Sequence, residues 1–320
     1  MTAGKTNPLV AVIATGGTIA SERADNGASK PSLTGESLLS LLPDMPVMLR
    51  PIELMAKDSA SLTLADMQEI SDRVGDLLDD ADVSGIVVLH GTDAMEETAL
   101  LVHLQHELNK PVLFTGAQFT ADHPKADGPA NLTAAIAAAA DQANMGRGVL
   151  VCFGGRLLPA WGLYKYSSDV VDAFRQARLI DNPASPRLAT SLGKVRVDMV
   201  AIYPGCDSVH VDASLRAGAD GIVLAALGSG NANSRLVEAV KRCEGAGVPV
   251  VVSSRVPDGL LMSSYGGGGG GHDLVEAGAI HSSTLRPGQA RILLAALIAS
   301  GATAEFTAQA FDDFNPGATL

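Results

Sequence analysis

The stretch Val10-Ala11-Val12-Ile13-Ala14-Thr15-Gly16-Gly17-Thr18 decides the fold. Its apolar residues follow one another with no polar alternation. That pattern reads as a strand buried on both faces, the kind found in a parallel sheet covered by helices. The run ends in two glycines and a hydroxyl, so a turn presents Thr18 at a strand's carboxyl end. The arrangement returns at Gly85-Ile86-Val87-Val88-Leu89-His90-Gly91-Thr92-Asp93. One such loop is a common turn; two in one domain describe a site assembled from two strand ends.

Outward from these runs, short apolar segments alternate with longer amphipathic or alanine-rich ones. Strands are expected at 9–14, 85–89, 111–115 and 148–153, and helices at 63–80, 94–108 and 129–143. Asp93 is placed to cap the helix at 94–108, with Glu96 and Glu97 in its first turn. The pattern restarts with strands at 197–203, 221–226 and 249–253 and helices at 236–244 and 287–300. Between the halves, Asp181-Asn182-Pro183-Ala184-Ser185-Pro186-Arg187 carries two prolines in four residues and favours an extended connection. The expectation is an α/β protein. A larger N-terminal domain, 1–190, holds a mainly parallel sheet flanked by helices; a smaller α/β (Rossmann-like) domain, 191–320, follows. Six consecutive glycines, 266–271, read as a flexible surface loop, with a mobile flap as the alternative.

Composition narrows the function. Of the 320 residues 47% are hydrophobic, enough for a sizeable core, yet no apolar run reaches the roughly 18 residues of a membrane span. The first eight residues lack the apolar segment of a signal peptide, so a soluble cytoplasmic protein is expected, with no membrane partner. A formal charge of −12 and the absence of any Lys/Arg-rich run argue against nucleic acid. A small anionic ligand stays open, because glycine-loop amides and one lysine can hold it. Three widely spaced cysteines without a C-x-x-C pattern indicate neither a disulfide framework nor a thiolate zinc site.

Glycines cluster after the expected strands, at Gly16-Gly17, Gly91, Gly116, Gly154-Gly155, Gly228 and Gly230. Taken singly these are turn punctuation; together they mark one edge of the sheet. Several familiar signals fail. Gly4-Lys5-Thr6 has no preceding strand, Gly228-Ser229-Gly230 lacks the third glycine of a dinucleotide fingerprint, and no G-x-S-x-G elbow occurs. His103 and His106, three apart on a helix, lack a third metal ligand and read as a solvated face. Thr18 and Thr92 remain, and a threonine hydroxyl needs a base before it can attack. Asp93 adjoins Thr92, and Lys165 sits among apolar and aromatic neighbours in Trp161-Gly162-Leu163-Tyr164-Lys165-Tyr166. A Thr-Lys-Asp group would work as a Ser-His-Asp one does, with lysine as base and glycine-loop amides as oxyanion donors.

Ala14-Thr15-Gly16-Gly17-Thr18-Ile19-Ala20 and His90-Gly91-Thr92-Asp93-Ala94-Met95-Glu96-Glu97-Thr98 resemble the two signature motifs of bacterial-type L-asparaginases. Asp127-Gly128-Pro129-Ala130-Asn131-Leu132, Lys165 with Ser167-Ser168-Asp169, Ser253-Ser254-Arg255-Val256-Pro257 and Leu285-Arg286-Pro287-Gly288-Gln289-Ala290-Arg291 resemble further segments, in consistent order. The resemblance implies hydrolysis of L-asparagine to aspartate and ammonia with neither metal nor organic cofactor. It implies Thr18 as the nucleophile that forms a β-aspartyl ester, and Thr92, Asp93 and Lys165 as the second catalytic group. Ser59 would bind the substrate α-carboxylate with help from Gly91 and Thr92. Ala117 would present a backbone carbonyl to the leaving amide, and Asn231 would reach the site of a neighbouring subunit. A homotetramer built as a dimer of dimers is implied as well.

The sequence also departs from that family. Ala28 stands where the family has a tyrosine beside the first threonine, Ala60 where it often has a glutamine, and Gln118-Phe119 where Met-Arg is usual. No acidic match to the residue supporting that tyrosine falls near the glycine run. Activation of Thr18 by Lys165 through Thr92, by water, or by Tyr265 at the edge of the run stays open. So do a glutaminase-asparaginase of dual specificity and a sensor that binds the amino acid without efficient turnover.

Overall fold

The computed structural model describes residues 7–23, 29–31, 33–177 and 185–312. Ala28 and 178–184, which include part of the expected linker, lie outside the described residues. The chain divides into two compact units, Met1–Arg175 and Gln176–Leu320.

The first unit runs β1 (Leu9–Ala14), β2 (Ser21–Arg23), β3 (Ser29–Pro31), α1 (Gly35–Ser40), β4 (Met48–Glu53), α2 (Leu64–Asp79), β5 (Gly85–Leu89), α3 (Met95–Gln105), β6 (Val112–Thr115), α4 (Gly128–Ala140), β7 (Val149–Phe153), β8 (Arg156–Pro159), β9 (Leu163–Lys165) and β10 (Phe174–Gln176). Its main sheet has the order β4-β1-β5-β6-β7-β8. All pairs are parallel except β7 with β8. Alternate residues of each strand enter different layers. Ala11, Ile13, Ile86, Val88 and Phe114 pack with α2 and α3. Val10, Val12, Val87, Leu89 and Leu113 pack with α4. Burial on both sides is why these strands show no polar alternation. The chain leaves β1 for β4 on one flank and returns to β5 on the other, so β1 and β5 diverge at a topological switch point. Ligands of open α/β sheets bind beyond the strand ends there.

One glycine pair takes a defined role in this unit and one expectation changes. Gly154-Gly155 follows β7 on the edge where β1, β5 and β6 also end. Both residues have positive φ (57° and 75°) and form the two-residue turn between β7 and β8, a turn that glycine suits. His103 and His106 do not form a solvated face. His103 Nδ1 accepts the Val149 N–H at 3.3 Å, and His106 Nε2 lies 2.9 Å from Ser71 Oγ. Burial pulls His103 down to about 4, so its ring is neutral at physiological pH.

The second unit contains β11 (Val197–Ala201), α5 (Val209–Arg216), β12 (Gly221–Ala226), α6 (Ser234–Gly245), β13 (Val250–Ser254), α7 (Gly271–Glu276), β14 (Ile280–His281), α8 (Pro287–Ala299) and α9 (Ala304–Phe311). Its four strands, ordered β11-β12-β13-β14, are all parallel. Arg286, which opens α8, is buried and donates to the carbonyl oxygens of Pro257, Thr284 and Gly259. The segments around Ser253 and Arg286 therefore brace the loop after β13.

The glycine run has a defined conformation. Asp273 Oδ2 accepts the N–H groups of Gly268, Gly269 and Gly270 at 2.7–2.9 Å. Gly271 N–H donates to Asn231 Oδ1 at 3.1 Å, and Ala232 N–H to Gly269 O at 2.8 Å. A Cβ on Gly269 would collide with the Asn233 backbone, and one on Gly270 with Tyr265 O. Close backbone approach, rather than a need for looseness, accounts for glycine at these two places.

Candidate active site

The site is assembled from the loops after β1 and β5. Thr15 is buried; both its N–H and its hydroxyl are spent on Leu89 O, at 3.1 and 2.7 Å. That bond ties the end of β1 to the end of β5. Thr18 lies beyond it, partly exposed, at the start of a short 3-10 turn, Thr18–Ala20. The two loops touch through glycine. A Cβ on Gly17 would lie 2.6 Å from Gly91 Cα, and one on Gly91 would strike Ser59 Oγ. Gly91 therefore fits only because it has no side chain.

Lys165, at the end of β9, reaches back to the second loop. Its Nζ donates to Thr92 Oγ1 at 2.8 Å and to Asp93 Oδ1 at 2.6 Å. The structure thus joins three of the four expected catalytic residues directly; Thr18 meets the group through the Gly17–Gly91 backbone approach. Asp93 does not cap α3. The cap position is Ala94, without a side-chain bond, and the Asp93 carboxylate serves Lys165 instead. Ser59 is buried, and its Oγ accepts the Asp93 N–H at 3.2 Å. That bond uses an oxygen lone pair, which leaves the hydroxyl hydrogen to donate.

Glu96, read from sequence as a first-turn carboxylate of α3, has a further position. Its Oε2 accepts the Lys165 N–H at 2.5 Å. Burial pushes it up to about 7, against the pull of that bond and of Lys165 and with the push of Glu97. Behind the loop, His90 is fully buried. Its Nδ1 lies 2.7 Å from Gly91 O, and burial pulls it down to about 4. Neutral at physiological pH, it holds the loop's backbone.

The loop after β6 carries Ala117. Asp127 accepts the N–H groups of Gln118 and Phe119, and Asn131 Nδ2 donates to Gly116 O at 3.0 Å. Gln118 Nε2 donates to Ser168 O, two residues past the Lys165-Tyr166 pair. The sequence marked the segment around Asp127 without showing what it does. In the second unit, Asn231 holds Gly271 and Tyr265 is exposed. Among the described residues no group of three His, Cys, Asp or Glu side chains could hold a metal ion, and no helix is long and apolar enough to cross a membrane.

Hydroxyl, ammonium and carboxylate joined at the switch point of a parallel sheet mark an α/β enzyme that works by acid–base and nucleophilic chemistry. Residues 9–190 match the family model of the asparaginase N-terminal domain, and residues 196–311 that of the glutaminase/asparaginase C-terminal domain. The chain is 35% identical over 315 residues to a probable L-asparaginase of Deinococcus radiodurans, covering 93% of this chain and 95% of that protein. It is 30% identical to a probable periplasmic L-asparaginase of Haemophilus influenzae, covering 96% and 93%. The crystal structure of a probable cytoplasmic L-asparaginase from Campylobacter jejuni matches with a TM-score of 0.84 at 26% identity, covering 95% of this chain and 99% of that one. The chain belongs to the asparaginase family, whose members are amidohydrolases.

Proposed function

We propose that the protein hydrolyses L-asparagine to L-aspartate and ammonia. The observation that carries this reading is the Lys165 Nζ bound to both Thr92 and Asp93 on the loop that touches the Thr18 turn. Thr18 Oγ attacks the side-chain amide carbon, and its proton passes through Thr92 to Lys165, which acts in its neutral amine form. The C–N bond breaks, the nitrogen takes that proton back from Lys165, and ammonia leaves a β-aspartyl ester on Thr18. Water then adds to the ester with Thr92 and Lys165 taking its proton, which frees aspartate and restores the hydroxyl. Ser59 donates its hydroxyl to the substrate α-carboxylate, with Gly91 beside it, and the Ala117 carbonyl accepts from the amide nitrogen. Asn231 is assigned to the active site of a neighbouring copy, within a homotetramer. The cytoplasm is the compartment assigned, in line with the Campylobacter protein described as a probable cytoplasmic L-asparaginase. No nucleic acid takes part.

Dual action on glutamine belongs to the same reading, because the C-terminal family model spans both glutaminases and asparaginases. One extra methylene changes discrimination by only about 1–3 kcal/mol. Purified protein is given each amide separately and ammonia is measured. Release from asparagine is expected, with Lys165→Met lowering kcat by about 10²–10⁴-fold. Tight aspartate binding without ammonia from either amide would instead support a sensor. Full turnover by Lys165→Met would remove the lysine from the mechanism.

A further inference from the structure

Asp127 lies just ahead of α4, is buried, and accepts every hydrogen bond recorded for its side chain. Its Oδ1 and Oδ2 are each 3.0 Å from the Gln118 nitrogen, and Oδ1 is 2.9 Å from the Phe119 nitrogen. Asn131 Nδ2 donates to Oδ2 at 3.0 Å and to Gly116 O at 3.0 Å, and Asn131 Oδ1 accepts the Gly154 N–H at 3.2 Å. The backbone is therefore held on both sides of Ala117. Between these anchors the Ala117 oxygen receives no donor from any described residue. A backbone carbonyl left over in so fully bonded a loop is placed to accept from something that arrives. The loop stands beside the nucleophile's turn: a Cβ on Gly128 would lie 2.7 Å from Ile19 Cγ1 and 3.3 Å from Ala117 Cβ.

We propose that Asp127 is a positioning residue that aims and polarises the Ala117 carbonyl through the peptide plane it shares with the Gln118 N–H. In a trans peptide the C=O and the N–H point in opposite directions. A carboxylate fixed on the N–H therefore fixes the direction of the oxygen. The same negative charge draws the amide towards its resonance form with charge on oxygen, as bonded chains of dipoles polarise one another. The oxygen becomes a stronger acceptor. The inference rests on the asparagine-hydrolysing reading, in which the leaving nitrogen gains a proton as the C–N bond breaks. Its N–H groups grow more acidic in that step, and a polarised acceptor then binds the transition state more tightly than the substrate.

The test separates this role from simple bracing of the loop. Asp127→Asn removes the charge and turns one acceptor into a donor. The full-length enzyme is given L-asparagine and, separately, the β-methyl ester of L-aspartate, whose leaving oxygen carries no hydrogen to donate. Values of kcat/KM are compared because they report the acylation half of the reaction. The expected result is a loss of about 10- to 100-fold with asparagine and little change with the ester. Equal losses on both substrates, or an unchanged asparagine rate, would overturn the proposal. If Asp127→Asn does not fold, Asn131→Ala keeps the charge but releases Gly116 O, and a smaller loss confined to the amide is expected; equal losses again overturn it. A wild-type enzyme that cleaves the ester but neither amide would refute the reading of function itself, a result distinct from a failure of the variants.

Discussion

Glu96 is the residue whose charge is set most finely. Its bond to the Lys165 N–H and the nearby ammonium favour the carboxylate, Glu97 opposes it, and burial opposes it more, for a net rise to about 7. Lys165 therefore gains or loses an anionic neighbour close to neutral pH. Glu96→Gln keeps an acceptor for the Lys165 N–H but cannot ionise. The expected outcome is that an ionisation near pH 7 disappears from the kcat/KM profile while turnover at pH 8 stays within about threefold; a profile identical to wild type would count against it. The stability sign follows from the raised value. The contribution is fully present below about 4.5 and is lost as pH rises through about 7. Above pH 7 the glutamine variant should thus be more stable by roughly 2–3 kcal/mol. At this scale the sequence named candidates but not contacts. Thr18, Thr92, Asp93 and Lys165 stood out as candidates because hydroxyl, carboxylate and amine stand in glycine-rich or apolar settings, and the structure brings the last three together. Glu96 was read only as a helix-start carboxylate, since first-turn position does not reveal whether a side chain faces water or a neighbouring strand. Asp93 was misread as a cap for the same reason: the competing partner, Lys165, lies 72 residues away.

Among the elements, the glycine segment ahead of α7 makes the strongest demand. Gly270 packs against Tyr265 O, where any Cβ overlaps the oxygen. Gly270→Ala must move backbone on one side or the other and should cost about 1–3 kcal/mol, read as a lower unfolding midpoint. Gly266→Ala meets only the Asp273 Oδ1 and His272 Cδ2 atoms, at 3.7 and 3.8 Å, and should be nearly neutral. Equal effects of the two would show the run to be the loose linker its composition suggests. The surface-loop reading holds for 266–268, which are exposed, while the packing of Gly269 and Gly270 was not legible because six glycines look the same whether selected for freedom or for close approach. Long apolar runs were legible, and the strands and helices expected around them overlap β1, β5, β6, β7 and α2–α4, with boundaries off by a few residues at most. β4 was not, because Arg50 and Pro51 interrupt it and its exposed edge position tolerates both. The short α1, α5 and α7 and the three-residue β9 carry too few residues for a period to show, although β9 is the strand that delivers Lys165.

For the molecule as a whole, the groups that titrate differently in the folded state fix how its stability responds to pH. His90 and His103 are held down at about 4, so their contributions are present above about 6.5 and are lost as pH falls through about 4. Glu96 runs the other way, between about 4.5 and 7. Near pH 5.5 the unfolded chain holds about two protons on the histidines while the folded chain holds about one on Glu96. The difference of about one proton makes stability fall by roughly 1.4 kcal/mol per pH unit on acidification. The two effects balance near pH 7, where the unfolded histidines together and the folded Glu96 each hold about half a proton, which places the maximum near pH 7 with a shallow alkaline limb. Below about pH 3.8 Asp66 adds a second acid loss. Its bonds to Lys57 and to the Thr63 backbone hold it down at about 2, and that stabilisation disappears as it protonates. All four groups lie in the first unit, which also contains Trp161, the chain's single tryptophan, buried there. Urea unfolding followed by Trp161 fluorescence from pH 4.5 to 8 reads that unit directly. A maximum near 7 with a steeper acid limb is expected. A flat profile would mean that the two histidines are not held neutral by burial, and His103→Gln, which should shallow the acid limb by about one proton, identifies how much of the slope belongs to that ring.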